Sequence, residues 1–304
     1  MGNYVAGNNY YNQETILFLN GGFVKASDAK IDLYSQSMHY GYSVFEGIRS
    51  YRTVSGETKI FKAEAHYERL RRSAELTNMP FPFDTEALIE ATYEVLERNR
   101  LQDAYIRPLV FAPSNMSFNP NAGSNIVIQA WEMTPFLGEK LLKVMQSSFE
   151  RPNPKAFHIE AKAAGHYVNS ILASQEAKAK GYDEALLCDM QGYVAEGPGA
   201  NMFYEKDGRL FTPAPGNILP GITRATVLEI CAAEGIAVEE KQIRPEELYT
   251  ADAAFFCGTA AEVIGWESFN GRAFGKAWKD SISQRIQQTY KEWVTENTNE
   301  TISI

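Results

Sequence analysis

Lys162 lies in IEAKAAGHY (159–167), surrounded by Ala161, Ala163, Ala164 and Gly165. A solvated lysine needs no small neighbours, whereas an amine that must meet something flat and bulky does. A primary amine in such a setting is suited to attack on a carbonyl and to proton transfer. LPGIT (219–223) puts a glycine and open backbone amides at the start of a helix, an arrangement that binds anions. GTA (258–260) follows an apolar run and can present further amides and a hydroxyl. Two anion cradles and an amine together suggest a phosphorylated cofactor pinned beside Lys162. Taken singly, each feature has an ordinary reading. A lone lysine is usually solvated, Glu196 after a strand is usually a surface carboxylate, and Arg69 on a helix usually faces water.

These residues must be positioned by two successive patterns. ILFLNGGFVKA (16–26) predicts two short strands around an Asn-Gly turn, and SVFEGIRSYRTVSGETKIF (43–61) a second pair turning at Ser55-Gly56. Residues 63–78 have Tyr67, Leu70 and Ala74 at helical spacing. Asp84 is placed to cap a second helix striped by Leu88, Ala91, Thr92, Val95 and Leu96. AYIRPLVFAP (104–113) and NIVIQAWEM (125–133) predict strands. After TPFLG (134–138), the best linker candidate, the pattern restarts: strand KLLKVMQSSFE, helix YVNSILASQEAKAKG, and hairpins turning near Gln191-Gly192 and at Asp207-Gly208. A helix TRATVLEICAAEG (223–235), two strands around the GTA loop and an amphipathic C-terminal helix follow. The fold class is α+β in two domains. A small domain spans 1–133 with a polar arm over 1–15, an interdomain loop spans 134–142, and a larger domain spans 143–304.

Composition excludes several functions. The net charge of −9 opposes nucleic-acid binding. RLRR (69–72), the only compact basic cluster, is flanked by Glu64, Glu68 and Glu75. No apolar run approaches a membrane span. The N-terminus lacks a signal-peptide pattern, so a cytoplasmic protein is expected. Cys188, Cys231 and Cys257 are widely spaced in apolar segments, as packed reduced thiols are. His39, His66, His158 and His166 have no metal-ligand spacing, so no metal site is expected. GxGxxG after a first strand and GxxxxGK[ST] are both absent, against dinucleotide and P-loop readings.

From about Ile16 to about Tyr290 the chain resembles the branched-chain amino-acid aminotransferases of the class IV (fold type IV) pyridoxal-phosphate family. HYGYSVFEGIR, YIRPL, KAAGHY, EGPGANMF, LPGITR and CGTAAE occur in the family's order. The resemblance implies a D-amino-acid-aminotransferase-like fold: a small two-layer α/β domain and a larger pseudo-barrel domain, with pyridoxal 5′-phosphate between them. It makes Lys162 the residue that carries the cofactor covalently and, once freed, moves the substrate Cα proton. Glu196 would pair with the pyridine nitrogen and Tyr167 with the ring's phenolic oxygen. Arg69, Ile222, Thr223 and Thr259 would hold the phosphate.

The resemblance also implies the substrate site. Tyr105 and Arg107, two apart on a strand and so on one face, would look into it. Tyr105 and the Thr259–Ala260 amides would take the α-carboxylate, and Phe45 would line the side-chain pocket. Tyr40, from a neighbouring subunit, would join Arg107 in accepting glutamate's second carboxylate. A homodimer or an assembly of dimers is implied, acting on amino acids and 2-oxo acids. The fold-sharing alternatives are D-amino-acid or (R)-amine transaminases and aminodeoxychorismate lyases. YIRP together with GTAAE favours the branched-chain type. A non-catalytic cofactor carrier would not need Lys162, Glu196 and Tyr167 together. The chain departs from the family at His166, where asparagine is common, at the bulky Met116-Ser117-Phe118 and at GWESF (265–269).

Overall fold

The computed structural model describes residues 10–133 and 140–296. The chain divides into two units, one built from the residues up to Met133 and the other from Thr134–Glu296.

The first unit opens with β1 (Ile16–Leu19) and β2 (Gly22–Lys25), joined at Asn20-Gly21. Both turn residues have positive φ, 49° and 92°, as a two-residue turn matched to strand twist requires. A five-residue helix α1 (Gln36–Tyr40), capped by Ser35, was not foreseen. Then come β3 (Ser43–Phe45), β4 (Ile48–Arg52), β5 (Thr58–Ile60), helices α2 (Ala63–Leu76) and α3 (Thr85–Arg98), and long strands β6 (Ala104–Phe111) and β7 (Asn125–Glu132). The sheet runs β2-β1-β7-β6-β4-β5, with β3 also on β6, and every pair is antiparallel. Asp84 caps α3 by accepting from the Ala87 amide. The expected stripes on α2 and α3 are buried.

Residues 43–61 form three strands where two were expected. The break falls at Glu46-Gly47, opposite Pro108, whose carbonyl accepts the Glu46 amide at 2.9 Å. Proline has no N–H to give the ladder, so a proline inside a sheet needs an interruption facing it. Gly47 serves a second need, since a Cβ there would stand 2.0 Å from the Tyr105 hydroxyl.

The second unit contains β8 (Leu142–Glu150), α4 (Tyr167–Ala179), β9 (Glu184–Cys188), β10 (Val194–Glu196), β11 (Asn201–Lys206), β12 (Arg209–Pro213) and α5 (Ile222–Glu234). β13 (Val238–Lys241), β14 (Ala253–Gly258), β15 (Glu262–Phe269), β16 (Arg272–Ala273) and α6 (Ile282–Thr295) complete it. The expected interdomain loop falls mainly on 134–139, outside the described residues; its last residue, Leu142, opens β8. The sheet runs β10-β9-β8-β15-β14-β11-β12-β13, with β16 on β15. Its core gathers Leu186, Met202, Phe256, Ile264, Trp266 and Phe269.

Two connections in this unit are parallel crossovers, β8 to β9 through α4 and β12 to β13 through α5. Parallel neighbours need such long returns. The crossovers place the Lys162 segment and the LPGIT segment after the carboxyl ends of β8 and β12, where α/β sheets commonly bind ligands.

Candidate active site

Lys162 sits in the approach to α4, between two tight backbone closures, Ala161 N–H to His158 O at 2.9 Å and His166 N–H to Ala163 O at 3.1 Å. Ala161 and Ala163 are buried, while Lys162 is half-buried. The Lys162 Nζ donates to the Tyr167 Oη at 2.8 Å. The pair thus joins an amine to a phenol on the first residue of a helix.

Glu196 is no surface carboxylate: it is 4% exposed. A register shift between Val194 and Glu196 interrupts the β9–β10 ladder, and such bulges re-aim side chains. Its Oε1 pairs with an Arg151 Nη at 2.9 Å, and its Oε2 accepts from Asn201 Nδ2 at 3.0 Å. The Leu219 amide lies 3.2 Å from both oxygens. Burial pushes this carboxyl above the usual range. Arg151 opposes that most strongly, followed by the Leu219 amide, Lys162 and Arg224. Lys162 therefore acts electrostatically on Glu196 although its amine is bonded to Tyr167.

The start of α5 lies two residues beyond that amide. Gly221 is its N-cap in extended backbone, and no side chain caps it, so amides that a helix leaves unpaired at its start are available to an anion. A Cβ at Gly221 would stand 1.9 Å from Asn201 Oδ1. Asn201 also donates to the Leu219 carbonyl at 3.0 Å, tying the cradle to Glu196. Ile222 is half-buried and Thr223 buried.

Thr259 and Ala260 lie in the three-residue connection between Gly258 and Glu262, which are ladder partners. Glu262 takes the left-handed conformation, φ 53°, that closes such a hairpin. A Cβ on Gly258 would stand 3.1 Å from the Gly199 carbonyl, so this loop rests against the turn that follows Glu196. Within the second unit, then, Lys162, Tyr167, Glu196, Ile222, Thr223, Thr259 and Ala260 belong to linked segments. Amine, buried carboxylate, uncapped helix start and small-residue loop form a donor set suited to a phosphorylated, nitrogen-containing ring.

In the first unit, Arg107 donates to the Tyr105 hydroxyl at 3.0 Å. Its guanidinium lies 4.5 Å from the Phe45 ring centroid and 5.2 Å from that of Tyr105. These three predicted residues form one cluster. Arg69 stands in another: Nε and one Nη grip the two oxygens of fully buried Glu46 at 2.7 and 2.8 Å, and His66 Nδ1 meets the same carboxylate at 2.7 Å. Burial opposes the charge of Glu46, but Arg69 and His66 outweigh it and hold the carboxyl far below its ordinary range. Tyr40 is exposed beside Phe118, its hydroxyl 3.4 Å from the Met116 carbonyl.

Arg151, Asn201, Glu46 and the Leu219 amide were not singled out from sequence. Three of them nonetheless fall inside the motifs that carry the resemblance, Glu46 in HYGYSVFEGIR, Asn201 in EGPGANMF and Leu219 in LPGITR, while Arg151 falls in none. The three cysteines are buried free thiols; burial pushes Cys188 and Cys231 up to about 11. Among the described residues no group of three or more His, Cys, Asp or Glu is arranged to hold a metal ion, and no helix is long and apolar enough to cross a membrane.

Residues 43–269 match the family Amino-transferase class IV. The chain is 39% identical over 292 residues to a branched-chain-amino-acid aminotransferase of Pseudomonas aeruginosa, covering 94% of this chain and 95% of that one. Its fold superposes with TM-score 0.90 on the branched-chain amino acid aminotransferase of Escherichia coli, 36% identical, covering 95% and 98% of the two chains. The branched-chain amino acid aminotransferase of Thermobaculum terrenum, solved in its PLP-form (holo-form), superposes with TM-score 0.86 at 32% identity, covering 93% and 94%. Matched along most of its length by family, sequence and fold, the chain belongs to the class IV aminotransferases.

Proposed function

We propose that the protein exchanges the amino group of a branched-chain L-amino acid (leucine, isoleucine or valine) with 2-oxoglutarate, giving a branched-chain 2-oxo acid and L-glutamate in two half-reactions. Its cofactor is pyridoxal 5′-phosphate, which when bound supplies the aldehyde that takes the amino group and a ring that accepts electrons from the substrate Cα. Lys162 holds the cofactor and, when displaced, takes the proton from the substrate Cα as base and returns it as acid. Tyr167 positions the Lys162 amine through its hydroxyl and serves the ring oxygen. Glu196 keeps the ring nitrogen protonated. The Ile222 and Thr223 amides bind phosphate together with Thr259, and Arg69 adds its charge.

Substrate recognition falls to Tyr105, Arg107, Phe45 and the Thr259–Ala260 amides. One pocket must accept an apolar side chain and a carboxylate in turn. Arg107, with a hydroxyl partner and two aromatic faces, suits both because its charge is not committed to any acid seen in its cluster. The first unit serves as the small domain (1–133) and the second, beyond a connection at 134–142, as the lysine-bearing large domain. The D-amino-acid, (R)-amine and lyase readings are not favoured, since the relatives reported above are branched-chain enzymes.

We also propose a homodimer in the cytoplasm. Leu33, Tyr34, Met38, Tyr40 and Phe118 are all exposed, Phe118 at 89%, and a large exposed apolar group usually marks an interaction surface. A fully active monomer by light scattering at assay concentration would refute assembly.

The observation that carries the functional reading is the Lys162 amine held 2.8 Å from Tyr167 in the unit that buries Glu196. Borohydride reduction of the holoenzyme should fix the cofactor to the peptide containing Lys162, and Lys162→Ala should fold without acquiring the cofactor's bound-state absorbance. Of L-leucine, D-alanine and an (R)-amine offered separately, only L-leucine should bleach that absorbance in the wild type. A label on another lysine, or bleaching by D-alanine alone, would overturn the assignment.

A further inference from the structure

Glu196 is buried at the end of β10, and Arg151 stands just beyond β8, its own amide anchored to the Cys188 carbonyl of β9 at 2.8 Å. The two side chains meet at 2.9 Å with 8% and 6% of their surfaces exposed. Both other contacts to the carboxylate, Asn201 Nδ2 and the Leu219 amide, come from neutral donors. They orient it but carry no charge.

Two further cations act on Glu196 from other elements: Lys162 from the approach to α4 and Arg224 from α5. Each has a nearer commitment. Lys162 donates to Tyr167, and Arg224 donates to the Pro213 carbonyl at 3.0 Å and to Glu240 at 2.8 Å. His166, which feels the charge of Arg151, is buried and packed edge-on to Phe157 at 5.0 Å. Burial, then the charge of Arg151, pushes that imidazole below its ordinary range, and His158 adds to the effect. These effects disfavour the charged imidazole, and among the described residues no hydrogen bond or ion pair joins His166 to Glu196. Among the described residues Arg151 is the cation in contact with this carboxylate.

We propose that Arg151 is the positioning residue that biases Glu196 toward its ionised form against the pull of burial. The proposal rests on the reading of Glu196 as partner of the cofactor's ring nitrogen, which needs a carboxylate and not a carboxylic acid. A buried carboxyl without a cation in contact holds its proton to higher pH, and a retained proton leaves an aromatic nitrogen beside it neutral. Charge in contact acts most strongly on the group it touches, so Arg151 works chiefly on Glu196. Arg151 reaches a single oxygen, and the Asn201 and Leu219 donors orient the carboxylate.

The test compares Arg151→Met, Arg151→Lys and Glu196→Gln with the wild type. The infrared carboxylic-acid band of Glu196, identified by its loss in Glu196→Gln, is titrated in the holoenzyme and in cofactor-free protein. The nitrogen resonance of isotopically labelled ring is recorded in the holoenzyme. In Arg151→Met the midpoint of the band should rise by about 1–3 units, the usual influence of a contacting arginine on a carboxylate. Arg151→Lys, which keeps the charge, should stay closer to the wild type. The ring resonance of Arg151→Met should move toward that of Glu196→Gln.

A folded Arg151→Met with an unmoved midpoint would overturn the proposal and leave Arg151 a structural residue. Should Arg151→Met fail to fold, a midpoint in Arg151→Lys displaced by the full ~1–3 units would equally overturn it. A midpoint that rises while the ring resonance stays at the wild-type position in both Arg151→Met and Glu196→Gln supports the hold of Arg151 on Glu196. That pattern would instead remove Glu196 as the ring's partner.

Discussion

Glu46 in the first unit and Glu196 in the second are both buried carboxyls, and the two are shifted in opposite directions. Glu46 is 0% exposed and Glu196 4% exposed, so desolvation penalises both. Glu46 meets the planar fork of Arg69 with both oxygens and His66 besides. Those contacts outweigh burial and drive its carboxyl down. Glu196 has one guanidinium contact and two neutral donors, and burial prevails. Equal burial therefore does not give equal acidity. The number and geometry of cationic contacts decide, because the bidentate Arg69 pair adds two charge-assisted hydrogen bonds whereas Arg151 meets Glu196 as an ion pair at one oxygen. A locked carboxylate suits an anchor for Arg69, while a poised one suits a site where a proton must be shared.

The largest effect should come from breaking the locked member. Glu46→Gln leaves Arg69 and His66 without their shared anion in a buried setting, and should cost about 3–5 kcal/mol of stability in denaturant unfolding. A loss near zero would mean that the pair is dispensable and the contrast misdrawn.

Glu196→Gln should instead fold and take up the cofactor, because Lys162 is untouched. Its leucine half-reaction should slow by about a hundredfold, the equivalent of about two pKa units passed fully into the barrier. A near-normal single-turnover rate would separate Glu196 from the chemistry.

Arg107 sharpens the comparison from the cation's side. It contacts a hydroxyl and two aromatic faces, and its Nε has no hydrogen-bond partner among the described residues. Arg107→Ala should cost the dicarboxylic substrate about 1.5–3 kcal/mol, one charge-assisted hydrogen bond. The KM for 2-oxoglutarate should rise well beyond that for 4-methyl-2-oxopentanoate. Equal rises would place Arg107 on the carboxylate that both substrates share.

The smallest effect is a pair of slopes in the pH dependence of unfolding of cofactor-free protein. Glu46, held low when folded, contributes stability above the ordinary glutamate value of about 4.3, and that stability is lost as the pH falls toward its folded value. Glu196, held high when folded, has the opposite sign. Below about 4.3 its contribution is fully present, and it is lost as the pH rises through the folded value. Glu46→Gln should flatten the first slope and Glu196→Gln the second. Slopes of the same sign would refute the contrast.

Much of this arrangement was legible in the chain. Asn20-Gly21 and Asp207-Gly208 specify their hairpins because few residues accept φ above zero. The stripes on α2 and α3 specify helices because burial on one face needs that period. Lys162 stood out because small residues around a long amine are otherwise wasteful. The break at Glu46-Gly47 was missed, although Pro108 foreshadows it, because the proline lies on a strand far along the chain and the strand pairing had first to be known.

The residue types and their local order were thus enough to specify the Asn20-Gly21 and Asp207-Gly208 hairpins and the longer helices, and to single out Lys162 and the start of α5 as candidates. Tertiary structure alone decided that Glu196 is buried, that Arg151 meets it from the end of β8, and that Leu219 and Asn201 close around it. It likewise decided that Glu46 takes Arg69 and His66 and is driven down. The reason is physical. Local patterns report backbone preference and one-sided burial, which act over a few residues. The charge state of a carboxyl depends on which donors the fold brings within about 3 Å after water has been removed, and those donors come from distant segments.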